Sequence, residues 1–137
     1  MPSVGSPLDR TTHVLLIDDN TEILAIARSV LTPACVVVGA VTDGASALSA
    51  ARALQPDVIV LDISMPGMSG LEVAAALRAQ TSTAAIVFLT VHDDVQFVEA
   101  ARQAGGTGYV LKPRLVSDLL HAVQEARAGR SFISPKP

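Results

Sequence analysis

The chain has 137 residues, which is long enough for one domain with its own core and too short for two. Half of the residues are hydrophobic but only 3% are aromatic, so the core has to be built from aliphatic side chains, and the formal net charge of −3 argues against direct nucleic-acid binding by this segment. No apolar stretch approaches the roughly 18 residues that span a bilayer, and the first twelve residues lack an apolar signal core, which favours a cytoplasmic protein without membrane contact.

Residues 1–12 are rich in Pro, Ser, Gly and Thr, a composition that buries too little surface to become ordered, so they are predicted to be a flexible tail. The folded domain is predicted to span residues 13–129, and residues 130–137 to begin a linker or a C-terminal tail. Within the domain, short apolar runs alternate with longer segments of helical period. The runs are residues 13–17, 35–38, 58–61, 85–89 and 108–111. The third and fourth runs do not alternate with polar residues, which is typical of strands buried on both faces of a parallel sheet.

A helix is predicted after each run. The first two are indicated by apolar stripes, Ile23, Ala27, Val30 and Leu31 in the first and Leu48, Ala51 and Leu54 in the second. The third begins at Ser69, which has capping-box spacing to Glu72. The fourth is capped by Asp93 or Asp94 and ends at Gly105-Gly106, and the fifth covers about residues 115–128. Repeated strand–helix alternation predicts a doubly wound α/β domain.

Polar residues directly follow four of the predicted strands. They are Asp18 and Asp19 after the first, Asp62 after the third, Thr90 after the fourth and Lys112 after the fifth. Ligands of an open parallel sheet bind outside the carboxyl ends of its strands, so these side chains are expected to converge. Three carboxylates a few ångströms apart repel one another by on the order of 4 kcal/mol per pair at an effective dielectric near 20, so a cation is required. Magnesium fits because it prefers hard oxygen ligands and shares a phosphate, and a screened carboxylate can attack phosphorus.

Each of these residues also has a purely structural interpretation. Asp18-Asp19 could cap the first helix, and Asp62 could belong to the turn before Pro66. Thr90 could cap the fourth helix, and Lys112 could simply be solvated. Structural residues of this kind would be scattered over both edges of the sheet, whereas all of these follow strands. The set therefore favours a phosphoryl-accepting site.

Four segments carry a resemblance to a known family. They are Asp18-Asp19, residues 61–70 (LDISMPGMSG), Leu89-Thr90 and residues 108–113 (GYVLKP). In this order they resemble the receiver domains of two-component response regulators, over about residues 13–128. The resemblance implies a flavodoxin-like (βα)5 fold with a five-stranded parallel sheet of order 2-1-3-4-5. It also implies that residues 13–129 form a signalling switch, which is not an enzyme except that it catalyses its own phosphorylation and dephosphorylation.

The resemblance implies roles for the acidic residues. Asp62 is the phosphoacceptor. Asp19 binds Mg²⁺ directly and Asp18 mainly through water. Asp62 and the backbone carbonyl of Ser64 complete the ligands that the protein supplies.

The remaining roles concern the response to phosphorylation. By resemblance, Lys112 pairs with the phosphoryl oxygens and the Thr90 hydroxyl moves to bond one of them. Tyr109 swings inward as Thr90 moves, which reshapes the surface formed by the fourth helix, the fifth strand and the fifth helix. Receivers often have a cis peptide bond at the position of Lys112-Pro113, so a cis bond is expected there.

Ser64 and His92 lie two residues beyond Asp62 and Thr90 respectively. Side chains at these positions resemble gatekeepers for attacking water, so both residues are expected to tune the phosphate lifetime. For His92 the alternative is a surface-loop histidine without a kinetic role.

Residues 64–70, 90–94 and 128–135 are similar to regulators of the NarL/FixJ (LuxR-type) subfamily, which usually continue into a helix-turn-helix. This similarity implies a sensor histidine kinase or a phosphotransfer protein as partner, a possible homodimer, and transcription as the output through a DNA-binding domain outside this chain. A stand-alone receiver that acts by protein–protein interaction or in a phosphorelay is the alternative. Residues 113–116 (PRLV) depart from the Ser or Asp cap common before the fifth helix, which leaves that helix start and any dimer contact there open.

Three other classes of protein are less consistent with the sequence. A haloacid-dehalogenase-like phosphatase needs a second Asp two residues after its nucleophile, where this chain has Ser64. A binding module that works without phosphorylation would not need the complete set of acidic residues, threonine and lysine. A nucleotide-binding protein needs a glycine-rich loop after the first strand, where this chain has Asp18-Asp19-Asn20.

Overall fold

The computed structural model describes residues 12–135, which form one parallel sheet with helices on both faces. The strands are β1 His13–Ile17, β2 Val36–Val41, β3 Val58–Asp62, β4 Ala85–Thr90, β5 Gly106–Leu111 and β6 Phe132–Ile133. The helices are α1 Thr21–Leu31, α2 Gly44–Leu54, α3 Gly70–Ala79, α4 Val95–Gln103 and α5 Leu115–Arg127, and a 3-10 turn, Lys112–Arg114, precedes α5. The strand order is β2-β1-β3-β4-β5-β6. The predicted doubly wound fold and the order of its five strands are confirmed, with a sixth strand added beyond β5.

Two hydrophobic clusters lie on opposite faces of the sheet. Successive residues of β1 alternate between them, because Val14 and Leu16 belong to one cluster and Leu15 and Ile17 to the other. Helices α1 and α5 cover the first face, and α2, α3 and α4 cover the second. Every residue of β3 is buried, as the unbroken apolar run predicted.

The N-cap of α1 shows whether the acidic pair after β1 is needed to cap that helix. The N-cap of α1 is Asn20, whose side-chain oxygen accepts hydrogen bonds from the backbone N–H of Glu22 (2.9 Å) and Ile23 (3.3 Å). Asp18 and Asp19 are therefore not needed as caps and remain available at the sheet edge. The predicted capping box of Ser69 and Glu72 is present at the start of α3. Asp94 is the N-cap residue of α4 but makes no capping hydrogen bond through its side chain.

The C-terminal segment differs from the prediction of a linker or tail at residues 130–137. Phe132 and Ile133 pair with β5 in parallel, and Ser134 is buried. A strand of two residues has no periodicity that a sequence pattern can detect, which is why it was missed. Residues 136–137 lie outside the described residues, as do residues 1–11 of the predicted flexible tail. Thr12 is buried and its carbonyl accepts a hydrogen bond from Val36, so this residue belongs to the domain.

The predicted cis bond at Lys112-Pro113 is wrong, because this peptide bond is trans. Lys112, Pro113 and Arg114 form the 3-10 turn, and the proline lies near its N-terminus. A proline there has a backbone angle suited to a helix start and gives up no hydrogen bond, so the trans form fits the turn. Within residues 12–135, no helix combines the length and the apolar character needed to cross a bilayer.

Candidate functional site

The candidate site lies at the carboxyl edge of the sheet, where parallel strands end side by side. Asp62 is the last residue of β3 and Thr90 the last residue of β4. The register pairs Asp62 with Leu89, the residue before Thr90, and pairs Thr90 with Leu111, the residue before Lys112. Asp62, Thr90 and Lys112 therefore lie side by side at the carboxyl ends of three neighbouring strands.

The three predicted carboxylates are together, and two of them are buried. Asp18 and Asp62 are each 1% exposed, whereas Asp19 is exposed to solvent. One oxygen from each of Asp18, Asp19 and Asp62 lies within 4.8 Å of the others. Burial, with the nearby Asp18 carboxylate adding to it, raises the pKa of Asp62 to about 7. The surroundings of Asp62 thus disfavour its charged form, which a further positive charge nearby would stabilise.

Lys112 partly balances this charge. Its Nζ lies 3.0 Å from Asp18 Oδ2 and 3.4 Å from Asp62 Oδ1, and its attraction opposes the rise in the pKa of Asp62. Asp62 Oδ1 also accepts a hydrogen bond from the Ser64 backbone N–H (3.1 Å). Asp62 Oδ2 is buried and accepts no hydrogen bond from residues 12–135, and Asp18 Oδ2, also buried, has only its ion pair with Lys112. A buried Asp62 oxygen without a hydrogen-bond partner, together with the neighbouring Asp18 and Asp19 carboxylates, is a donor set that suits a hard divalent cation.

Four of the remaining predicted residues are linked around the segment that follows β4. Thr90 is buried, and its Oγ1 accepts a hydrogen bond from the His92 backbone N–H (3.1 Å). Tyr109 is also buried, and its hydroxyl donates to the His92 carbonyl (2.8 Å). A hydrogen bond joins His92 Nε2 and Ser64 Oγ (3.2 Å). His92 therefore connects the segment after β3, the threonine and the tyrosine.

Sequence reasoning did not single out two residues that contact the site. Gly70, the first residue of α3, lies against the Asp62 backbone. The approach is so close that a Cβ at this position would overlap the Asp62 carbonyl oxygen. Phe97 of α4 stacks on the His92 ring, with ring centroids 4.1 Å apart and an interplanar angle of 10°. Gly70 was part of a recognised motif without an assigned role, and the apolar spacing of α4 could have indicated Phe97 as a core residue but not as a partner of His92.

Comparisons with known proteins agree with this geometry. A family model described as "Response regulator receiver domain" matches residues 14–124. The chain is 36% identical over 123 residues to the nitrate/nitrite response regulator protein NarL of Escherichia coli (strain K12), a match that covers 88% of this chain and 57% of that protein. It is 39% identical over 126 residues to the nitrate/nitrite response regulator protein NarP of the same strain, covering 90% and 59%. The chain thus spans little more than half the length of these relatives.

A solved structure extends the comparison to three dimensions. The crystal structure of a two-component response regulator of the LuxR family from Aurantimonas sp. SI85-9A1 matches with a TM-score of 0.86 at 31% identity. The match covers 91% of each chain. The fold is therefore shared over almost the whole of the described chain.

Proposed function

The chain belongs to the response regulator receiver domain family, and on this premise we propose that Asp62 accepts a phosphoryl group from a sensor histidine kinase or a phosphotransfer protein. An Asp62 carboxylate oxygen attacks phosphorus and forms an acyl phosphate as the bond between phosphorus and the donor nitrogen breaks, and the nitrogen keeps the bonding electrons. Later attack by water regenerates the carboxylate and releases phosphate. The observation that carries the proposal is the buried Asp62 carboxylate with Lys112 Nζ 3.4 Å away and a second carboxylate beside it.

The proposal includes one bound Mg²⁺. Asp18, Asp19, Asp62 and the backbone carbonyl of Ser64 would hold it. The clustering of the three carboxylates and the unpartnered buried Oδ2 of Asp62 support this assignment. When bound, the cation would neutralise carboxylate and phosphoryl charge, so that two negatively charged groups can approach each other. Lys112 would supply a second positive charge to the phosphoryl oxygens from its position between Asp18 and Asp62.

The proposed switch begins at Thr90. Its hydroxyl would leave the His92 backbone N–H to bond a phosphoryl oxygen, and Tyr109, already hydrogen-bonded to the His92 carbonyl, would respond to the movement of that segment. The surface formed by α4, β5 and α5 would then change and control dimerisation or an output. The lone hydrogen bond between Ser64 and His92 supports the proposal that these two residues tune the phosphate lifetime.

The output proposed here is transcription in the cytoplasm, through a C-terminal helix-turn-helix that is not part of this chain. Two relatives that are named nitrate/nitrite response regulators support this, since each is longer than the region matched. The net charge of −3 gives the receiver itself no reason to bind DNA. A stand-alone receiver that acts through protein–protein interaction or in a phosphorelay is the second candidate.

Phosphoryl transfer to Asp62 is tested by mass spectrometry. The protein is incubated with a small phosphoryl donor and Mg²⁺, and we expect the mass of one phosphoryl group to be added to the unsubstituted protein. Asp62→Asn should show none, because an amide nitrogen and oxygen lack the nucleophilic charge. Asp57→Asn, at the other end of β3, is the matched control and should be phosphorylated normally.

Two outcomes would contradict the proposal. An undiminished phosphate adduct on Asp62→Asn would move the acceptor to another residue. Sustained hydrolysis of a generic phosphate ester in the presence of Mg²⁺ would instead favour the phosphatase class, for which Ser64 offers no general acid.

A further inference from the structure

His92 is held by contacts from four directions. In the unphosphorylated protein its backbone N–H donates to Thr90 Oγ1 and its carbonyl accepts from Tyr109. The proposed switch would release the Thr90 bond, so the contacts of the side chain are the ones that hold the ring while the phosphoryl group is on Asp62. Its Nε2 is hydrogen-bonded to Ser64 Oγ (3.2 Å), and its ring stacks on Phe97. The first three contacts lead to residues already assigned to the site, whereas Phe97 belongs to α4 and has no assigned role.

The hydrogen bond between Ser64 and His92 joins the two segments that flank the acceptor. Ser64 follows Asp62 and donates its backbone N–H to Asp62 Oδ1, and His92 follows Thr90. A water molecule that approaches phosphorus on Asp62 between these segments has to pass the side-chain hydrogen bond. Because Ser64 is exposed and His92 only half-buried, solvent competes for this bond unless the imidazole is held in place.

Phe97 is placed to hold the imidazole. The rings are nearly parallel at 10° and their centroids are 4.1 Å apart, so a rotation of the imidazole away from Ser64 would lose the stacking contact. Phe97 itself is fixed in the first turn of α4 and packs against the hydrophobic cluster on that face of the sheet. The position of the imidazole therefore depends on the packing of α4.

We propose that Phe97 is a positioning residue for the lifetime of the phosphoryl group on Asp62: it holds the His92 ring on Ser64 and so restricts the access of water to phosphorus. This inference rests on the proposed function. In the step that it slows, a water oxygen bonds to phosphorus, the bond from phosphorus to the Asp62 oxygen breaks, and phosphate leaves with the protons of the water. A partner that repositions α4 would change the same lifetime.

The test measures the rate at which the phosphorylated protein loses its phosphate. Phe97→Leu keeps an apolar side chain but removes the flat ring, and we expect the loss to become roughly 2- to 10-fold faster, the range that an aromatic pair's coupling free energy allows. Phe97→Tyr keeps the ring and should restore the slow rate. Val98→Ala is the matched control, because Val98 packs against the same cluster and removing its methyl groups perturbs α4 without removing the stacked ring.

A double-mutant cycle separates positioning from a general loss of packing. In a His92→Ala background, Phe97→Leu should have no further effect on the rate, because the ring through which it acts is gone. An equal acceleration in both backgrounds, or an unchanged rate in Phe97→Leu, would overturn the inference. The imidazole proton shifts of His92 provide a check without phosphate, since Phe97→Leu should remove the ring-current shift. No adduct on the unsubstituted protein would contradict the proposed function itself, whereas an adduct of unchanged lifetime would contradict only the role of Phe97.

Discussion

Gly70 shows how closely the backbone approaches the acceptor carboxylate. Its backbone N–H donates to the Ile63 carbonyl (2.7 Å), and a Cβ would lie 2.8 Å from Ile63 Cα as well as overlapping the Asp62 carbonyl oxygen. All of the atoms in conflict are backbone atoms, so no side-chain rotation can relieve them. The glycine is therefore required for α3 to start directly beneath the end of β3.

We expect Gly70→Ala to lower the free energy of unfolding by about 2–4 kcal/mol, because either α3 or the backbone around Asp62 has to shift. The measurement is urea denaturation followed by circular dichroism. Phosphate incorporation should fall as well, since the displaced residues include the acceptor.

Gly67, which precedes Gly70 in the segment between β3 and α3, provides a control substitution. Its φ is +78° and a Cβ would meet nothing within 4 Å, so Gly67→Ala should cost only the roughly 1–2 kcal/mol of a left-handed backbone. Phosphate incorporation should be retained in this variant. Equal losses of incorporation in both variants would refute the specific role of Gly70.

The residues of the site divide into those that a sequence can locate and those that it cannot. Asp18, Asp62, Thr90 and Lys112 could be located because each directly follows a recognisable apolar run, and parallel strands end at one edge. The stacking of Phe97 on His92 could not, because it depends on how α4 is rotated on the sheet. The contact of His92 with Ser64 spans 28 residues of sequence, and neither spacing nor composition indicates it.

At the scale of elements, β6 is anchored by its pairing with β5 and by hydrogen bonds of the residue that follows it. The Ser134 backbone N–H donates to the Tyr109 carbonyl (2.8 Å), and its hydroxyl donates to Asp118 Oδ2 (2.7 Å). The same hydroxyl oxygen accepts from the Leu111 backbone N–H (3.2 Å). Asp118 is 6% exposed and also accepts from Arg114 Nε (2.8 Å), so β6, α5 and the turn that carries Lys112 share one buried polar cluster.

We expect Ser134→Ala to lower the free energy of unfolding by about 1–3 kcal/mol, because it leaves the buried Asp118 carboxylate and the Leu111 N–H each without one partner. Equilibrium unfolding in urea measures the change. Ser131→Ala, at an exposed residue on the other side of β6, is the control and should have little effect. A loss no larger than that of the control would show that the Ser134 hydroxyl contributes nothing to the stability of the domain.

The five longer strands could be predicted because each contains a short apolar run, and the five helices because apolar stripes or capping residues mark them. Their faces were less predictable. In α1 the buried residues are Leu24, Ala27 and Leu31, whereas Ile23 and Val30 of the predicted stripe are only half-buried. Leu54 of the second stripe is 41% exposed. When a helix has several apolar residues per turn, its sequence alone does not show which of them face the sheet. Strand β6 is a separate case, because it has too few residues to show any period.

For the molecule as a whole, two buried carboxylates contribute to the free energy of unfolding, and their contributions change with pH in opposite directions. Burial raises the pKa of Asp62 to about 7, so the folded protein binds this proton more tightly than the unfolded chain. Hydrogen bonding to Arg114, aided by Ser134 and Ser117, holds the pKa of Asp118 below its usual range. Asp62 therefore adds stability as the pH falls from about 7 towards 4, whereas the contribution of Asp118 is complete above its unfolded pKa and is lost below about pH 4.

In the presence of a chelator, the contribution of Asp62 to the free energy of unfolding should therefore be larger at pH 5 than at pH 8. Asp62→Asn removes the titrating carboxylate and should flatten the profile between pH 5 and about 8. Urea denaturation across this pH range measures both curves. A chelated protein whose stability rises steadily up to pH 8 would contradict the assignment of the high pKa to Asp62.

Adding Mg²⁺ should reverse this pH dependence. A ligand that binds only the folded state stabilises it, and Mg²⁺ binds ionised carboxylates, so the rise in Tm should be large at pH 7.5 and small at pH 4.5, where Asp62 is protonated. Asp19→Asn should abolish the rise without harming the fold, because Asp19 is exposed. Asp93→Asn, also exposed but in the segment after β4, should keep it. An undiminished Mg²⁺ effect in Asp19→Asn would place the cation away from the three carboxylates, and the charge at the sheet edge would then have to be balanced by Lys112 alone.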